Sequence, residues 1–409
     1  MKKYRLLWLF ELVIFLDMLN GAYPWFFWNV KASYLNILFA AISILYLKIN
    51  GIKLQTSTNY VFGIFLLFIS TFFNTDSFTI TERIYRFLFF VPIWALTCDV
   101  HNSGRIFATI AKWFSFILLP SMVLHLIFLV TDFPPSVIII NENAPSNYVY
   151  FNYFILIKNI VMEDYQIRFC SIFLEPGYLG TLLSFLLYVG KFDFKKRYNV
   201  ILLLALVLTI SLAGYVITAI GWIFTKLQEG KSIKRLVQIF AVLGIVYWGG
   251  ITYNGGNNIF NDNILSRLQY DEDKGISGNN RTSHLADAYF EQYTKSGQIL
   301  FGVGYQTIRR INGGTTKGAD FNDQIRGAGY KIFLMTNGLV QALIVLWGYI
   351  YIMRKSNRKY SVCFLALIIL TFVQASYPLS PSWLIPFVFG CLINQRKYEN
   401  RNFDISSCS

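Results

Sequence analysis

The chain has 409 residues, 55% hydrophobic, 18% aromatic and only 14% charged, and its 36 Lys and Arg outweigh 22 Asp and Glu for a net charge of +14. Soluble domains carry about 25% charged residues, so the composition excludes an ordinary water-soluble domain and predicts an all-α, polytopic membrane bundle. The basic excess sits in short segments beside apolar runs, which fits anionic headgroups and speaks against nucleic acid as a partner.

The N-terminal Met1-Lys2-Lys3-Tyr4-Arg5 precedes an apolar run as in a signal peptide. Glu11 and Asp17 interrupt that run, and Tyr23-Pro24-Trp25 stands where small residues would mark cleavage, so a retained first helix is expected. Apolar runs follow near 33–49, 60–74, 84–98, 107–130, 169–190, 198–212, 214–226, 236–252, 329–353, 360–377 and 382–395. With the first, near 6–22, they predict about twelve membrane spans. Residues 198–226 read either as a broken helix pair or as a re-entrant segment.

If the N-terminus is cytoplasmic, every second connection carries the Lys and Arg: Lys48/Lys53, Arg105/Lys112, Lys191 to Arg197, Lys226 to Arg235, and Arg354 to Lys359. Arg396 and Lys397 place the C-terminus on the same side. Two long connections, 131–168 and 252–328, then face outward. The five cysteines (Cys98, Cys170, Cys363, Cys391 and Cys408) are scattered, with neither CxxC pairs nor zinc spacing, so no disulfide framework and no metal site is expected.

Ionisable groups near the outer ends of spans are costly and mark function. Arg83 and Arg86 lie one turn apart at such an end, as interfacial anchors or as part of a cationic site. The first long loop ends Arg168-Phe169-Cys170-Ser171-Ile172-Phe173-Leu174-Glu175-Pro176-Gly177. A continuous helix would nearly eclipse Arg168 and Glu175 and could make them a structural ion pair. Alternatively, Pro176 opens the helix with Glu175 at its cap.

The second loop has eight basic and eight acidic side chains, including Arg267, Arg281, Arg309 and Arg310. Outward-facing arginines lack a topological reason and need either ion pairs within the loop or an anionic ligand. From Asn279 to Tyr293 the pattern is helical at about 100° per residue. Arg281, His284, Asp287 and Glu291 share one face, and Leu285, Ala286, Tyr289, Phe290 and Tyr293 the other. It is either an ordinary amphipathic helix or one holding its polar face to a cavity. Gly302-Val303-Gly304 marks a turn, and Asp320 to Gln324, with Asp323, precede a helix as caps or as part of a site.

These residues give the chain a resemblance to the O-antigen polymerase and O-antigen ligase superfamily, enzymes of the Wzy type. It is carried by Arg168 with Glu175-Pro176-Gly177, the helix break Ser211-Leu212-Ala213-Gly214, Arg281, Gly302-Val303-Gly304, Asn322-Asp323 and Gly338-Leu339, over roughly residues 165–350. Arg267 and Gly278 also match an Arg-to-Gly spacing described in some polymerases. The break lacks the usual Arg, and Phe321 stands where a ligase has its later His, which favours the polymerase.

The resemblance implies transfer of a growing glycan from an undecaprenyl diphosphate donor to a hydroxyl of the next lipid-linked repeat, at the outer face of a bacterial cytoplasmic membrane. The product would be O-antigen of lipopolysaccharide, capsule or exopolysaccharide, with a flippase and a chain-length regulator as partners. It implies Arg168 and Arg281 as diphosphate ligands, supported by Arg267, Arg309 or Arg310, since guanidinium forks match phosphate oxygens. His284 or Glu175 is the expected general base, with Asp323 third. No cofactor is expected, and the arginines would replace a metal. Ligation of finished glycan, or transport of a glycan lipid, are the alternative readings.

Overall fold

The apolar runs form the helices, some of which carry a proline in their interior, at Pro92, Pro120 and Pro386. The computed structural model describes residues 5–54, 56–73, 80–131, 137–140, 149–160, 167–230, 244–245, 248–249, 251–258, 261, 270–271, 275–276, 283–313, 328–372 and 379–406. The chain is mostly helical with few strands. In order come α1 (Leu7–Asn20), α2 (Ala32–Ile49), α3 (Thr58–Ser70), α4 (Ile80–Cys98), α5 (Ser103–Val130), α6 (Pro176–Val189), α7 (Arg197–Leu208) and α8 (Leu212–Gln228). They continue as α9 (His284–Lys295), α10 (Tyr305–Gly313), α11 (Gly329–Met353), α12 (Arg358–Thr371) and α13 (Pro381–Ser406). Among the described residues, two stretches are long and apolar enough to cross a membrane, Val100–Val130 and Gly329–Met353.

The loop 131–168 departs from the all-α expectation. It holds an antiparallel sheet of β1 (Val137–Ile140), β2 (Val149–Asn152) and β3 (Ile157–Asn159), in register Ile139 to Tyr150 and Phe151 to Lys158. The run Val-Ile-Ile-Ile is β-branched throughout and suits a pleated, half-buried surface better than a helix. A second, two-residue ladder pairs β4 (Tyr270–Asp271) with β5 (Gly275–Ile276). The run expected at 169–190 also starts late, because Pro176 has no amide hydrogen and takes the first helical position, leaving 168–175 non-helical.

The chain forms two units. One comprises Met1–Trp113, Ala288–Gly314 and Gly329–Ser409; the other comprises Phe114–Asp287 and Thr315–Ala328. In the first, α3 packs on α11 at a glycine pair. A Cβ on Gly63 would lie 2.8 Å from the Gly348 carbonyl oxygen, and one on Gly348 would lie 2.6 Å from Leu67 Cδ2. Small residues permit this close approach of helices. Phe10 of α1 stacks on Tyr46 of α2 at 4.4 Å, and the Tyr46 hydroxyl donates to Asp99 at 2.6 Å. Asn102 donates to both Asp99 oxygens, so this buried carboxylate is satisfied.

In the second unit α6 packs on α8. A Cβ on Gly180 would fall 2.9 Å from Ser211 Cβ. Ser184 donates to the Gly214 carbonyl at 2.9 Å, and Thr218 donates to Ser184 at 2.8 Å. The helices also leave large apolar side chains uncovered, among them Phe116 at 81%, Val130 at 85% and Tyr34 at 64% exposure. Water would penalise that surface by roughly 25 cal/mol per Å2; lipid would not.

Candidate functional site

The segment carrying Arg168 runs between the three-stranded sheet and a break in the helical layer. The Ile157 amide donates to the Ser171 carbonyl at 2.8 Å, the Cys170 thiol to the Ile157 carbonyl at 3.1 Å, and the Tyr150 hydroxyl to the Leu174 carbonyl at 2.8 Å. On its other side lies the expected break between α7 and α8. Ile210 adopts a φ of 47°, and the Ser211 hydroxyl caps α8 by accepting from the Gly214 amide at 3.3 Å. The Thr209 and Ile210 amides close the end of α7 on the carbonyls of Ala205, Leu206 and Val207. The Phe169 amide reaches the Leu208 carbonyl at 2.9 Å, and Arg168 Nε that of Thr209 at 3.2 Å.

Arg168 is therefore buried, 5% exposed, and oriented by backbone. That fixes a planar, permanently charged fork at a defined place. Glu175 is half-buried and occupies the N-cap of α6, with φ −140° and ψ 143°, so Pro176 opens the helix and the two residues share no helix. A carboxylate there also faces the favourable end of the helix dipole.

Lys158 was not singled out in the sequence and is one of the most buried side chains of this unit, at 0% exposure. Its ammonium lies 5.0 Å from the centre of the Phe128 ring. Burial pushes it down to about 8, partly offset by attraction to Cys170. The sequence signal is a single lysine inside Ile157-Lys158-Asn159, within the long connection expected to face outward.

In the other unit, Gly302-Val303-Gly304 and Gly338-Leu339 meet. Helix α11 is broken at Gly338, with φ 82° and ψ 165°, a conformation open essentially to glycine. The freed carbonyls of Met335 and Thr336 accept from the Val303 and Gly304 amides at 2.7 and 3.1 Å. Gly302 (φ 76°) lies so close that a Cβ would stand 2.6 Å from the Thr336 carbonyl oxygen. Two glycine motifs far apart in sequence thus form one backbone clasp, and α10, which bears Arg309 and Arg310, starts at Tyr305 directly after it. Arg310 is exposed.

Helix α9 has the predicted amphipathic character. Ser283 caps it through the Ala286 amide at 3.1 Å, Ala286 and Tyr293 are buried, and Phe290 meets Tyr330 at 6.3 Å. Its polar face is wet where it is described. Glu291 and Lys295, 66% and 74% exposed, pair at 2.6 Å, and that hydrogen bond holds the Glu291 carboxyl below its usual range.

His284 is the first residue of α9; its side chain and that of Arg309 lie outside the described residues, as do Arg267, Arg281, Asn322 and Asp323 entirely. Arg168 and Glu175 belong to one unit and Arg310 to the other. The expectation of metal-free chemistry passed over Asp271-Glu272-Asp273 in the second loop, an acidic spacing that suits a divalent cation; Asp271 ends β4. No family model, curated protein or solved structure matches the chain. The geometry, in which a backbone-oriented arginine and a buried lysine stand beside an interrupted helix, is suited to holding an anion at the edge of an apolar layer.

Proposed function

We propose that the chain is a multi-pass protein of a bacterial cytoplasmic membrane that polymerises undecaprenyl-diphosphate-linked oligosaccharides at the outer face. The observation that carries this reading is Arg168: a guanidinium 5% exposed and oriented on the α7 terminus at 3.2 Å. Evenly spaced cytoplasmic Lys and Arg clusters support about twelve spans with both termini inside. The uncovered aromatic and aliphatic side chains of the helices support a lipid surround.

In this mechanism Arg168, with the loop arginines 267 and 281, neutralises the diphosphate as it leaves. Glu175 or His284, with Asp323 as third choice, takes the proton of the acceptor hydroxyl. The bond from the anomeric carbon to the diphosphate oxygen breaks as the new glycosidic bond forms, and direct attack inverts the anomeric configuration.

The test is purified protein with a defined lipid-diphosphate oligosaccharide. A ladder of repeat numbers supports polymerisation; one-step transfer to a different acceptor would make the protein a ligase. Arg168→Ala should lower the rate at least about a hundredfold at equal protein level, and Arg168→Lys, which keeps charge without the fork, should recover only part of it. Wild-type ladders from Arg168→Ala would reject the assignment. A second reading, a glycan-lipid transporter, is favoured by the interruptions at residues 209–211 and at Gly338, because transporters build sites at broken helices. Translocation of a labelled glycan lipid with no new covalent product would select it.

A further inference from the structure

Helix α5 carries no Lys, Arg, Asp or Glu from Phe114 to Val130. At 1.5 Å per residue this stretch is about 26 Å long, close to the roughly 30 Å of a bilayer's hydrocarbon core. Phe116, Leu119, Val123, Ile127 and Val130 recur along it at helical spacing, and all are exposed. The turn between β2 and β3 lies beside this face. Ile155 lines an open apolar groove with Leu119, Val123 and Ile127, and the Tyr153 ring meets Phe128 edge-on at 6.0 Å. A segment expected to stand outside thus reaches back along α5, level with residues about 5–16 Å short of its C-terminal end.

The turn, Tyr153-Phe154-Ile155-Leu156, closes its backbone on itself. The Tyr153 amide donates to the Leu156 carbonyl, the Phe154 amide to Asn152 Oδ1 and the Ile155 amide to the Tyr153 carbonyl, each at 2.8 Å. The Ser171 hydroxyl donates to the Ile155 carbonyl at 3.4 Å. Backbone outside a helix is tolerated at membrane depth only where protein satisfies and surrounds it, and these bonds, with Leu156 and Ile157 fully buried behind them, supply that condition. The bond from Ile155 to Tyr153 makes a γ-turn centred on Phe154, whose φ of 67° belongs to the rare, strained form. A turn facing water would take glycine or asparagine there at little cost. Instead an aromatic ring, 75% exposed, is held out from the tip.

We infer that this turn is a re-entrant anchor: Phe154 and Ile155 lie among the phospholipid acyl chains of the outer leaflet, beside α5. The inference rests on α5 crossing the bilayer, which belongs to the proposed reading, and does not need the polymerase chemistry. Acyl chains are the occupant because the groove at Ile155 is continuous with the exposed face of α5, which the bilayer covers. Only the tip enters. Strand β1 is the open edge of the sheet, and its outer amides and carbonyls need headgroups or water. The Val137–Asn152 pair, just behind the turn, therefore marks the limit of insertion. Through the bond from the Ile157 amide to the Ser171 carbonyl, the anchor also sets the depth of the segment that carries Arg168.

The experiment uses full-length protein freed of its own cysteines, reconstituted in phospholipid vesicles, with one nitroxide-labelled cysteine at a time. Collision of the label with oxygen, which concentrates among acyl chains, is compared with collision with a nickel chelate, which stays in water. Leu119→Cys, Val123→Cys and Val130→Cys calibrate depth along α5. Phe154→Cys should favour oxygen and read a depth between those of the labels at 119 and 130. Ile155→Cys should do the same and serves where Phe154→Cys does not fold. Nickel-dominated collision at 154 and 155, with oxygen dominant at 119 and 123, overturns the inference and leaves α5 as a span. Nickel-dominated collision at all of these positions overturns the span as well. Weak collision of the 154 label with both reagents would mean that protein, a second copy included, covers the tip, and also overturns the inference. None of these outcomes depends on polymer being made.

Discussion

Arg168 shows how one side chain serves fold and chemistry together. By donating to Thr209 it satisfies a carbonyl that the end of α7 leaves open, and removing such a donor typically costs about 1–3 kcal/mol. Loss of activity in Arg168→Ala therefore has to be read beside a melting curve. Lys158 offers a cleaner signature. Its ammonium is pushed down to about 8 by burial, so the folded chain holds that proton less tightly than the unfolded chain does. Between pH 8 and the ordinary lysine range the unfolded state binds more protons, so stability rises with pH there and is level below about 8, where both states hold the proton. A shift of that size corresponds to on the order of 3 kcal/mol. Cys170 and Arg168 from the adjoining segment and His125 from α5 titrate or carry charge beside it. Thermal unfolding of wild type and Lys158→Met at pH 7.5 and 9.5 should show the extra gain in wild type alone; parallel shifts would place the ammonium in water.

At the scale of elements, the sharpest test is the clasp between residues 302–304 and α11. Gly338→Ala must put a side chain at φ 82° and 2.6 Å from both the Gly302 amide nitrogen and the Leu300 carbonyl oxygen. It should lower the melting temperature by several degrees and loosen α10, read as faster amide exchange over 305–313. Ser211→Ala, by contrast, removes one helix cap and should cost about 1 kcal/mol. Much of this layout was legible in the residues. Periodicity marked a helix over 279–293, which the structure begins at His284, and the apolar run 329–353; the break near 211 and the entry at Pro176 were each one of two readings. The sheet at 137–159 has only the β-branched run at 137–140 as its local signal, and the pairing of that run with 149–152 is set by contacts along the chain that no single segment shows. The partnership of Gly302 with Gly338 had no local signal at all, since each glycine reads alone as a turn or a kink.

For the whole molecule, the predicted sidedness can be checked without any substrate. Single cysteines at Lys195 and Lys355, placed in a background freed of its own cysteines, should react with an impermeant maleimide only after the membrane is opened. Cysteines at Gln298 and Lys295 should react in intact spheroplasts, and the opposite pattern would invert the topology. Chelation addresses the chemistry at the same scale. If arginines alone carry the diphosphate, polymerisation should proceed undiminished in EDTA. Activity lost in EDTA and restored by a divalent cation would instead bring Asp271 and Asp273 into the site.

The glycine clasp has a consequence for how such a chain can drift in length. Because Val303 and Gly304 are pinned to α11 by two backbone hydrogen bonds, they act as a fixed datum for everything that follows within a turn or two. A residue inserted between Gly304 and Arg309 would rotate both arginines by about 100° about the axis of α10, whereas residues added ahead of Gln298 would leave their phase untouched. Insertions should therefore survive selection upstream of the clasp and vanish in the five positions after it.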